Sequence, residues 1–325
     1  METIRHIGVF TSGGDAPGMN AATRAVVRTA LSHTIRVTGV VRGYAGLIEG
    51  DFIDMDARSV SNVIQFGGTI LKTSRSPEFY EEEGRARAAE KLRSRGVDAL
   101  VAIGGDGTFQ GLHKLEQEHG ILGIGVPGTI DNDVYGTDFT IGFDTAANTA
   151  LESIDKIRDT AASHDRMFFI EVMGRACGAL ALSVGLAGGA EAILIPEIPY
   201  DLNELCRTLE HGKARGKTSF IIVVSEGVVD GGAREVAEGV KSRMGVNYRV
   251  SVLGHIQRGG APTAFDRQLA SRLGRAAVET LLAGGSSAMT GIRCGRVNLV
   301  PLHETWEKKT EIDKELLTVA EVVGS

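Results

Sequence analysis

Three segments of the chain combine glycines with hydroxyl and carboxylate side chains, the groups that phosphate and metal chemistry uses. They are TSGGDAPGMN at residues 11–20, GGDGT at 104–108 and PGTIDND at 127–133. Glycines let backbone N–H groups approach an anion, and the N-terminus of a following helix favours negative charge. Asp106 is a hard oxygen ligand suited to Mg²⁺ carried by a phosphate. Asp131 and Asp133 lie two residues apart, so one can accept a proton while the other holds substrate or a metal-bound water.

Each of these segments follows a short apolar run of the kind that forms a buried strand. Strand-like runs occur at residues 7–10, 35–41, 99–103, 121–126, 168–173, 192–195 and 220–224, and helix-period stretches at 19–33, 84–95, 145–158, 202–215 and 262–283. This alternation predicts an α/β protein with parallel sheets, whose ligands bind at the carboxyl ends of the strands. Taken singly, each loop is also consistent with a tight turn, a capping aspartate or an Asx turn.

The composition excludes several classes of protein. At 325 residues the chain exceeds the roughly 250–300 residues at which single cores stop growing, which predicts two lobes. No apolar run reaches the ~18 residues of a membrane helix, and we expect no signal peptide because the first residues enter a strand-like run. The three scattered cysteines form neither a disulfide framework nor a zinc motif. A net charge of −6 argues against nucleic-acid binding, so we expect a cytoplasmic protein with small-molecule ligands.

Further motifs extend the pattern along the chain. In order they are SHDR at 163–166, EVMGR at 171–175, SEG at 225–227 and VLGHIQRGG at 252–260. Together with the three loops, this set resembles the ATP-dependent 6-phosphofructokinases of bacterial type over nearly the full length. The resemblance implies two Rossmann-like three-layer lobes with mainly parallel sheets and an active site in the cleft between them. It also implies a nucleotide-binding lobe, residues 1–142 with 257–307, and a fructose 6-phosphate-binding lobe, residues 143–256 with 308–325.

The resemblance further implies transfer of the γ-phosphoryl group of ATP to the 1-hydroxyl of fructose 6-phosphate, the committed step of glycolysis. Asp131 would accept the hydroxyl proton, and Thr129 would hold the transferred group. The N–H of Gly13 and the guanidinium of Arg75 would stabilise the charge of the transition state. Arg175 completes the expected catalytic set.

The expected nucleotide contacts come from four segments of the chain. They are Gly13, Tyr44, Arg75, Ser76, Phe79, Gly105, Asp106, Gly107 and Thr108. Asp106 would bind Mg²⁺ that bridges the β- and γ-phosphates, with Asp133 helping through water. This sequence departs from the family at Tyr80, where a basic residue is common, and at Thr108, which replaces a serine but keeps the hydroxyl.

The sugar phosphate requires cationic donors, and arginine matches phosphate oxygens bidentately. The resemblance assigns substrate binding to Thr129, Ile130, Asp131, Arg166, Met173, Gly174, Arg175, Glu226, Arg249, His255, Ile256, Gln257 and Arg258. Within that set, Arg166, Arg249, His255 and Arg258 would hold the 6-phosphate. In the family, the counterparts of Arg166 and Arg249 come from a neighbouring subunit, so the resemblance implies a homotetramer with shared active sites.

Two glycines favour ATP over pyrophosphate as the donor. Pyrophosphate-dependent members of the superfamily tend to carry Asp at the position of Gly107, where it would repel the α-phosphate of ATP, and Lys at the position of Gly128. A pyrophosphate-dependent transferase is therefore the nearest alternative. An NAD or lipid kinase would share only the 104–108 loop and would leave residues 127–133 and 255–260 unexplained. A non-catalytic regulatory homologue should have lost Asp131, Asp106 or Arg175, and all three are present.

A second basic set has no evident catalytic use. It comprises Arg24, Arg28, Arg58, Arg158, Arg215 and Lys217, together with Gly189 and Glu191. Arg24 and Arg28 lie one helical turn apart on one face, which alone would indicate a solvated helix flank. The positions match the allosteric site of the family, where ADP activates or phosphoenolpyruvate inhibits, so the resemblance implies an effector site.

Overall fold

The computed structural model describes residues 4–164 and 166–324. Asp165, which belongs to the SHDR motif, lies outside the described residues. The strands are β1 (His6–Thr11), β2 (Arg36–Val40), β3 (Phe52–Met55), β4 (Ala99–Gly104), β5 (Leu122–Thr129), β6 (Ile141–Gly142), β7 (Met167–Val172), β8 (Ala192–Leu194), β9 (Phe220–Ser225), β10 (Tyr248–Val252), β11 (Ala288–Arg293) and β12 (Arg296–Pro301).

The helices alternate with these strands along most of the chain. They are α1 (Met19–Ser32), α2 (Gly43–Glu49), α3 (Glu82–Arg95), α4 (Asp106–His119), α5 (Phe143–Ser163), α6 (Ala179–Ala187), α7 (Leu202–Ala214), α8 (Gly232–Met244), α9 (Ala264–Leu282), α10 (Glu304–Glu307) and α11 (Lys314–Gly324), with short 3-10 helices at Pro77–Tyr80 and Gly254–Arg258. No helix in the described part of the chain is both long and apolar enough to cross a membrane.

The chain divides into two compact units, each built on its own sheet. Unit 1 comprises Met1–Thr129, Val134–Thr145 and Arg258–Thr310, and unit 2 comprises Ile130–Asp133, Ala146–Gln257 and Glu311–Ser325. Among the described residues, unit 1 has an eight-stranded sheet in the order β12-β11-β5-β4-β1-β2-β3, with β6 paired to β5. Its pairings are parallel except for β2 with β3 and β11 with β12. Unit 2 has four parallel strands in the order β10-β7-β9-β8.

The apolar runs of the sequence account for this architecture. All six residues of β1, β4 and β9 are buried, as expected for parallel strands that helices cover on both faces. Antiparallel pairing is confined to β3 and β12, which close the two edges of the larger sheet. The expected α/β fold with mainly parallel sheets is therefore confirmed.

Each unit has its own hydrophobic core. In unit 1 a cluster around Phe10, Leu100 and Phe109 extends to Val300, with Trp306 packed at its margin. In unit 2 a separate cluster joins β7 and β9 to helices α7 and α8. Two independent cores give each sheet a stable frame that can present loops at its strand ends.

Candidate active site

The loops that follow β1 and β4 lie side by side in unit 1. The strand order β3-β2-β1-β4-β5 reverses direction between β1 and β4, which is the point where open α/β sheets bind their ligands. β1 and β4 are parallel partners over Ile7–Thr11 and Ala99–Ile103, so their carboxyl ends meet. The backbone N–H of Ser12 donates to the carbonyl of Ile103 at 3.0 Å, which extends the pairing into the loops.

Glycine is required where these two loops touch. A Cβ at Gly104 would collide with the hydroxyl oxygen of Thr108 and the carbonyl oxygen of Ser12. Gly13 is exposed and has a φ of 83°, in the left-handed region that glycine adopts without strain. The Thr108 Oγ1 atom lies 3.7 Å from where a Cβ of Gly13 would stand, so the predicted phosphate contacts of both loops converge.

Helix α4 presents its N-terminus at this place. Asp106 is exposed, and its Oδ1 accepts from the N–H of Gly107 at 2.7 Å. A side chain at Gly107 would meet no atom within 4 Å, so the space beside it is open. An unobstructed helix N-terminus with glycines is suited to binding the phosphates of a nucleotide.

Asp106 also fits the predicted magnesium ligand. Mg²⁺ in kinases is held by one or two carboxylates together with substrate phosphates and water. No three His, Cys, Asp or Glu side chains converge on a metal site within the described ranges. The exposed Asp106 at a helix N-terminus is suited to an ion that arrives on a phosphate chain, and its role as a magnesium ligand stays a prediction.

The aromatic residues of the predicted nucleotide site pack against each other. Tyr44 stacks on Phe79 with ring centroids 3.9 Å apart, and both are only 6% exposed. The Tyr44 hydroxyl donates to the carbonyl of Thr108, and burial raises the pKa of this hydroxyl well above its usual value. Arg75 and Ser76 lie shortly before Phe79 in the chain, on a more exposed stretch. Tyr44 thus supports the N-terminal turn of α4, and direct contact of its ring with a nucleotide stays a prediction.

The loop after β5 carries the candidate base. Thr129 ends the strand, where β6 pairs with it, and Ile130 and Asp131 follow, both buried. Asp131 is 2% exposed, and its Oδ2 lies 3.6 Å from Nε of Arg175, whose side chain is 64% exposed. The next residue, Asn132, has a φ of 53°, so the chain turns sharply between Asp131 and Asp133. A buried carboxylate beside an exposed guanidinium places a potential proton acceptor next to a cation suited to anionic ligands.

The carboxyl ends of β7 and β9 surround Arg175. Gly174 and Arg175 have positive φ values of 137° and 52°, and the N–H of Arg175 donates to Glu226 Oε1 at 2.9 Å. Met173 is buried directly beneath them. The structure therefore brings together the predicted residues 173–175, Glu226 and Asp131 within unit 2.

The predicted ligand-binding residues in the segment after β10 differ in their exposure to solvent. His255 and Ile256 are exposed, whereas Gln257 is fully buried and donates to the carbonyl of Gly254 at 3.0 Å. In unit 1, Arg258 donates to the carbonyl of Asp15 at 3.0 Å, so its guanidinium lies on the loop after β1. His255 and Ile256 are available to a ligand, whereas Gln257 stabilises its own turn.

Two predicted phosphate ligands, Arg166 and Arg249, lie at the amino ends of strands in the unit 2 sheet, opposite to the carboxyl ends where Arg175 lies. Arg166 precedes β7 and Arg249 is near the start of β10, so seven residue steps, or about 23 Å of strand, separate Arg166 from Met173. Both line a cavity of about 470 Å³ together with His164, Lys213, Asn247 and Tyr248. His164 and Lys213 were not predicted, because no local sequence signal links them to Arg249. Among the described residues, the cavity lining contains basic side chains and no carboxylate, which suits an anionic ligand.

Comparisons with known proteins agree with this geometry. A family model described as Phosphofructokinase matches residues 6–281. The chain is 58% identical over 321 residues to ATP-dependent 6-phosphofructokinase 1 of Thermus thermophilus and 53% identical over 321 residues to the ATP-dependent 6-phosphofructokinase of Clostridium acetobutylicum. Each alignment covers 99% of this chain and 100% of the relative. The chain belongs to the phosphofructokinase family.

Solved phosphofructokinases share the fold. Phosphofructokinase from Saccharomyces cerevisiae superposes with a TM-score of 0.87 at 38% identity, covering 93% of this chain and 45% of the yeast chain, so this chain spans about half the yeast length. A pyrophosphate-dependent phosphofructokinase from Marinobacter aquaeolei gives 0.84 at 27% identity, covering 96% of this chain and 86% of that one. The prediction of an ATP-dependent 6-phosphofructokinase of bacterial type, a glycolytic kinase, is confirmed by the relatives and the family model.

The predicted effector residues of this phosphofructokinase fall into two groups. In unit 2, Glu191 is 9% exposed, pairs with Lys217 at 2.8 Å and accepts from the N–H of Ile221 at 2.5 Å. Arg158 lies 3.8 Å from the same carboxylate and donates to the carbonyl of Gly189 at 2.7 Å. The remaining candidates of the set are the exposed Arg215 in unit 2 and, in unit 1, the half-buried Arg24 and the exposed Arg28 and Arg58.

Proposed function

We propose that the chain transfers the γ-phosphoryl group of Mg·ATP to the 1-hydroxyl of fructose 6-phosphate in the cytoplasm, with Asp131 as general base. The 1-oxygen forms a bond to the γ-phosphorus, the bond from that phosphorus to the β,γ-bridging oxygen breaks, and ADP leaves. Asp131 takes the proton of the 1-hydroxyl. The observation that carries this proposal is the burial of the Asp131 carboxylate beside the exposed Arg175.

The donor side of the proposal rests on the adjacent loops of unit 1. Backbone N–H groups at Gly13 and at the N-terminus of α4 would bind the phosphate chain, and Thr108 would add its hydroxyl. Asp106 would hold Mg²⁺, with Asp133 acting through water, and the ion would supply neutralisation of the phosphate charge. Thr129 would hold the transferred group. The hydroxyl of Thr73 donates to the carbonyl of Gly13, which holds the segment of Arg75 near the loop after β1. The exposed Arg75 would stabilise the charge on the equatorial oxygens of the transferred phosphoryl group.

The acceptor side of the proposal draws on unit 2 and on a second copy of the chain. Met173, Gly174, Arg175 and Glu226 would surround the sugar, with His255 at the phosphate. Arg166 lies about 23 Å along β7 from Met173, a distance much longer than a hexose phosphate. We therefore propose that Arg166 and Arg249 bind the 6-phosphate held by a neighbouring subunit of a homotetramer.

Replacement of the base tests the reaction scheme directly. Asp131→Asn keeps the shape of the side chain but removes its basicity, so kcat should fall by about 10²–10⁴-fold with little change in nucleotide affinity. Asp230→Asn, an exposed aspartate of the same unit, is the matched control and should keep normal turnover. Product formation would be followed with Mg·ATP and with Mg·pyrophosphate. Near-normal turnover of Asp131→Asn contradicts the assignment of the base.

We further propose that the second basic set binds an anionic effector, ADP or phosphoenolpyruvate. Glu191 neutralises Lys217 and Arg158 in the structure, so an anion at this place competes with a buried carboxylate for the same cations. Lys217→Met should abolish the shift that either effector produces in the fructose 6-phosphate saturation curve. Curves of the unmodified enzyme that do not respond to either effector contradict this proposal.

A further inference from the structure

A buried carboxylate joins two helix N-termini in unit 1. Asp266 lies in the first turn of α9 and is 0% exposed. Its Oδ1 accepts from the N–H of Gly142 at 2.8 Å, and its Oδ2 accepts from the N–H and the hydroxyl of Thr145 at 2.8 and 2.5 Å. Gly142 immediately precedes α5 and Thr145 lies in its first turn. A carboxylate with three donors stabilises this junction although burial raises its pKa.

The residues that Asp266 holds are wedged between two loops of the proposed active site. On one side, Ile141 and Gly142 of β6 pair with Gly128 and Thr129 at the end of β5. The hydroxyl of Thr140 also donates to the carbonyl of Thr129 at 2.7 Å. β6 is thus the lateral support of the residue that immediately precedes Ile130 and Asp131.

On its other side, β6 touches the loop between β1 and α1. A Cβ at Gly142 would stand 2.6 Å from the Cβ of Ala16, and a Cβ at Gly18 would stand 2.6 Å from a methyl group of Ile141. Both glycines have left-handed backbones, with φ values of 104° and 108°. The loop after β1 therefore packs closely on β6, with no room for a side chain at either glycine.

We propose that Asp266 is a positioning residue, which sets through β6 the relative placement of the loop after β1 and the end of β5. The two loops carry the proposed donor contacts and Thr129, so the inference rests on the proposed function. Asp266 itself is enclosed by α5 and α9 and touches no reacting atom in this role. A shift of β6 would misplace both loops at once, and errors of about 1 Å in such positions cost up to 10²-fold in rate.

The network requires an acceptor at every contact. An ionised carboxylate only accepts hydrogen bonds, whereas an asparagine would turn an N–H group toward either Gly142 or Thr145. The hydroxyl oxygen of Thr145 also accepts from the N–H of Thr263 at 3.0 Å, so its proton is directed to Asp266. Asp266→Asn therefore removes the anchor while leaving size and shape nearly unchanged.

The test compares Asp266→Asn with a control that weakens the same helix elsewhere. Thr263 caps α9 by accepting from the N–H of Asp266 at 3.2 Å, and its hydroxyl donates to Asp144 at 2.5 Å. Thr263→Ala therefore removes the cap and the bond to Asp144 but leaves the contacts of the Asp266 carboxylate in place. Steady-state constants would be normalised to the folded fraction, and hydrogen exchange would be followed in peptides that cover residues 13–18 and 127–131.

For Asp266→Asn we expect kcat to fall by about tenfold to a hundredfold, the KM for ATP to rise, and exchange to accelerate in both peptides. The KM for fructose 6-phosphate should stay within about twofold, because most of the proposed sugar contacts lie in unit 2. Thr263→Ala should change none of these constants by more than about twofold. Thr145→Val lacks the hydroxyl that donates to Asp266, so it should show the same changes more weakly. Thr145→Ser keeps that hydroxyl and should have the constants of the unmodified enzyme.

Three results are distinguishable: the first and third overturn the inference, and the second overturns the proposed function on which it rests. Exchange in both peptides that matches the unmodified enzyme shows that Asp266 does not couple the loops. Faster exchange with unchanged kcat and KM shows that the coupled loops lack the proposed catalytic role. Equal losses of kcat in Asp266→Asn and Thr263→Ala show that stability of α9 alone is responsible, which also overturns the inference.

Discussion

Arg85 connects the segment of the predicted nucleotide contacts to the core of unit 1. Its side chain is buried, and Nε and Nη2 donate to the two oxygens of Glu118 at 2.5 and 2.9 Å. Nη1 donates to the carbonyls of Phe79 and Tyr80 at 3.1 and 2.6 Å. These bonds hold the 3-10 helix Pro77–Tyr80 in place, and with it the Phe79 ring that stacks on Tyr44.

The structure sets the expected cost of Arg85→Met. The Phe79 carbonyl lies in a buried environment and loses its donor, which costs about 1–3 kcal/mol. The Glu118 side chain is 29% exposed and regains water, so loss of its partner adds only about 1 kcal/mol. We therefore expect the free energy of unfolding of unit 1 to fall by about 2–4 kcal/mol. The KM for ATP should rise because Phe79 and Tyr44 support Thr108.

Arg87→Met is the matched control on the same helix. Arg87 pairs with Glu78, and both side chains are more than half exposed, so this substitution should cost less than about 1 kcal/mol. Urea unfolding would be followed by the fluorescence of Trp306, the single tryptophan of the chain, which packs against the same core cluster as Phe79. A cost below about 1 kcal/mol for Arg85→Met, or equal costs for the two variants, would refute this reasoning.

Two further predictions concern donor choice and pH. A side chain at Gly107 meets open space, so Gly107→Asp should leave stability unchanged. Charge repulsion with the phosphates of ATP should raise the KM for ATP at least about tenfold. An unaltered KM in steady-state assays would contradict the assignment of Gly107 to donor choice. Burial holds the pKa of His6 below its usual 6.5, so the folded state favours the neutral ring. The free energy of unfolding that this contributes is fully present above pH 6.5 and falls as the pH drops toward the folded pKa. His6→Gln should lose less stability than the unmodified protein between about pH 7.5 and pH 5.5, by urea unfolding; equal losses would exclude His6 as the cause.

The sequence pattern predicts much of the fold because local signals were strong. Buried parallel strands are continuous apolar runs, and each predicted run corresponds to a strand whose ends agree within three residues. The short antiparallel edge strands β3 and β12 were not predicted, since their residues are partly exposed and carry no clear period. The loops at the ends of β1, β4 and β5 could be located from glycines and aspartates alone.

The sequence could not show which polar side chains face a ligand and which form hydrogen bonds inside the core. The family resemblance implies ligand contacts for Tyr44 and Gln257, yet both side chains are buried and bonded to backbone carbonyls. Arg85 and Asp266 carry no motif signal, although each is buried with several partners. Whether a polar side chain faces a ligand or satisfies a buried backbone group depends on partners distant in sequence, such as Asp266 and Thr145, 121 residues apart.

The sequence by itself determined the alternation of strands and helices, the order of the glycine-rich loops and the family to which the chain belongs. Those properties depend on short-range composition and spacing, which the amino-acid sequence alone contains. Only the tertiary structure decided that Arg166 and Arg249 line one cavity, and that Asp266 joins β6 to α9. Strand pairing sets the first and burial of a carboxylate among backbone donors sets the second, and both arise only when distant segments pack together.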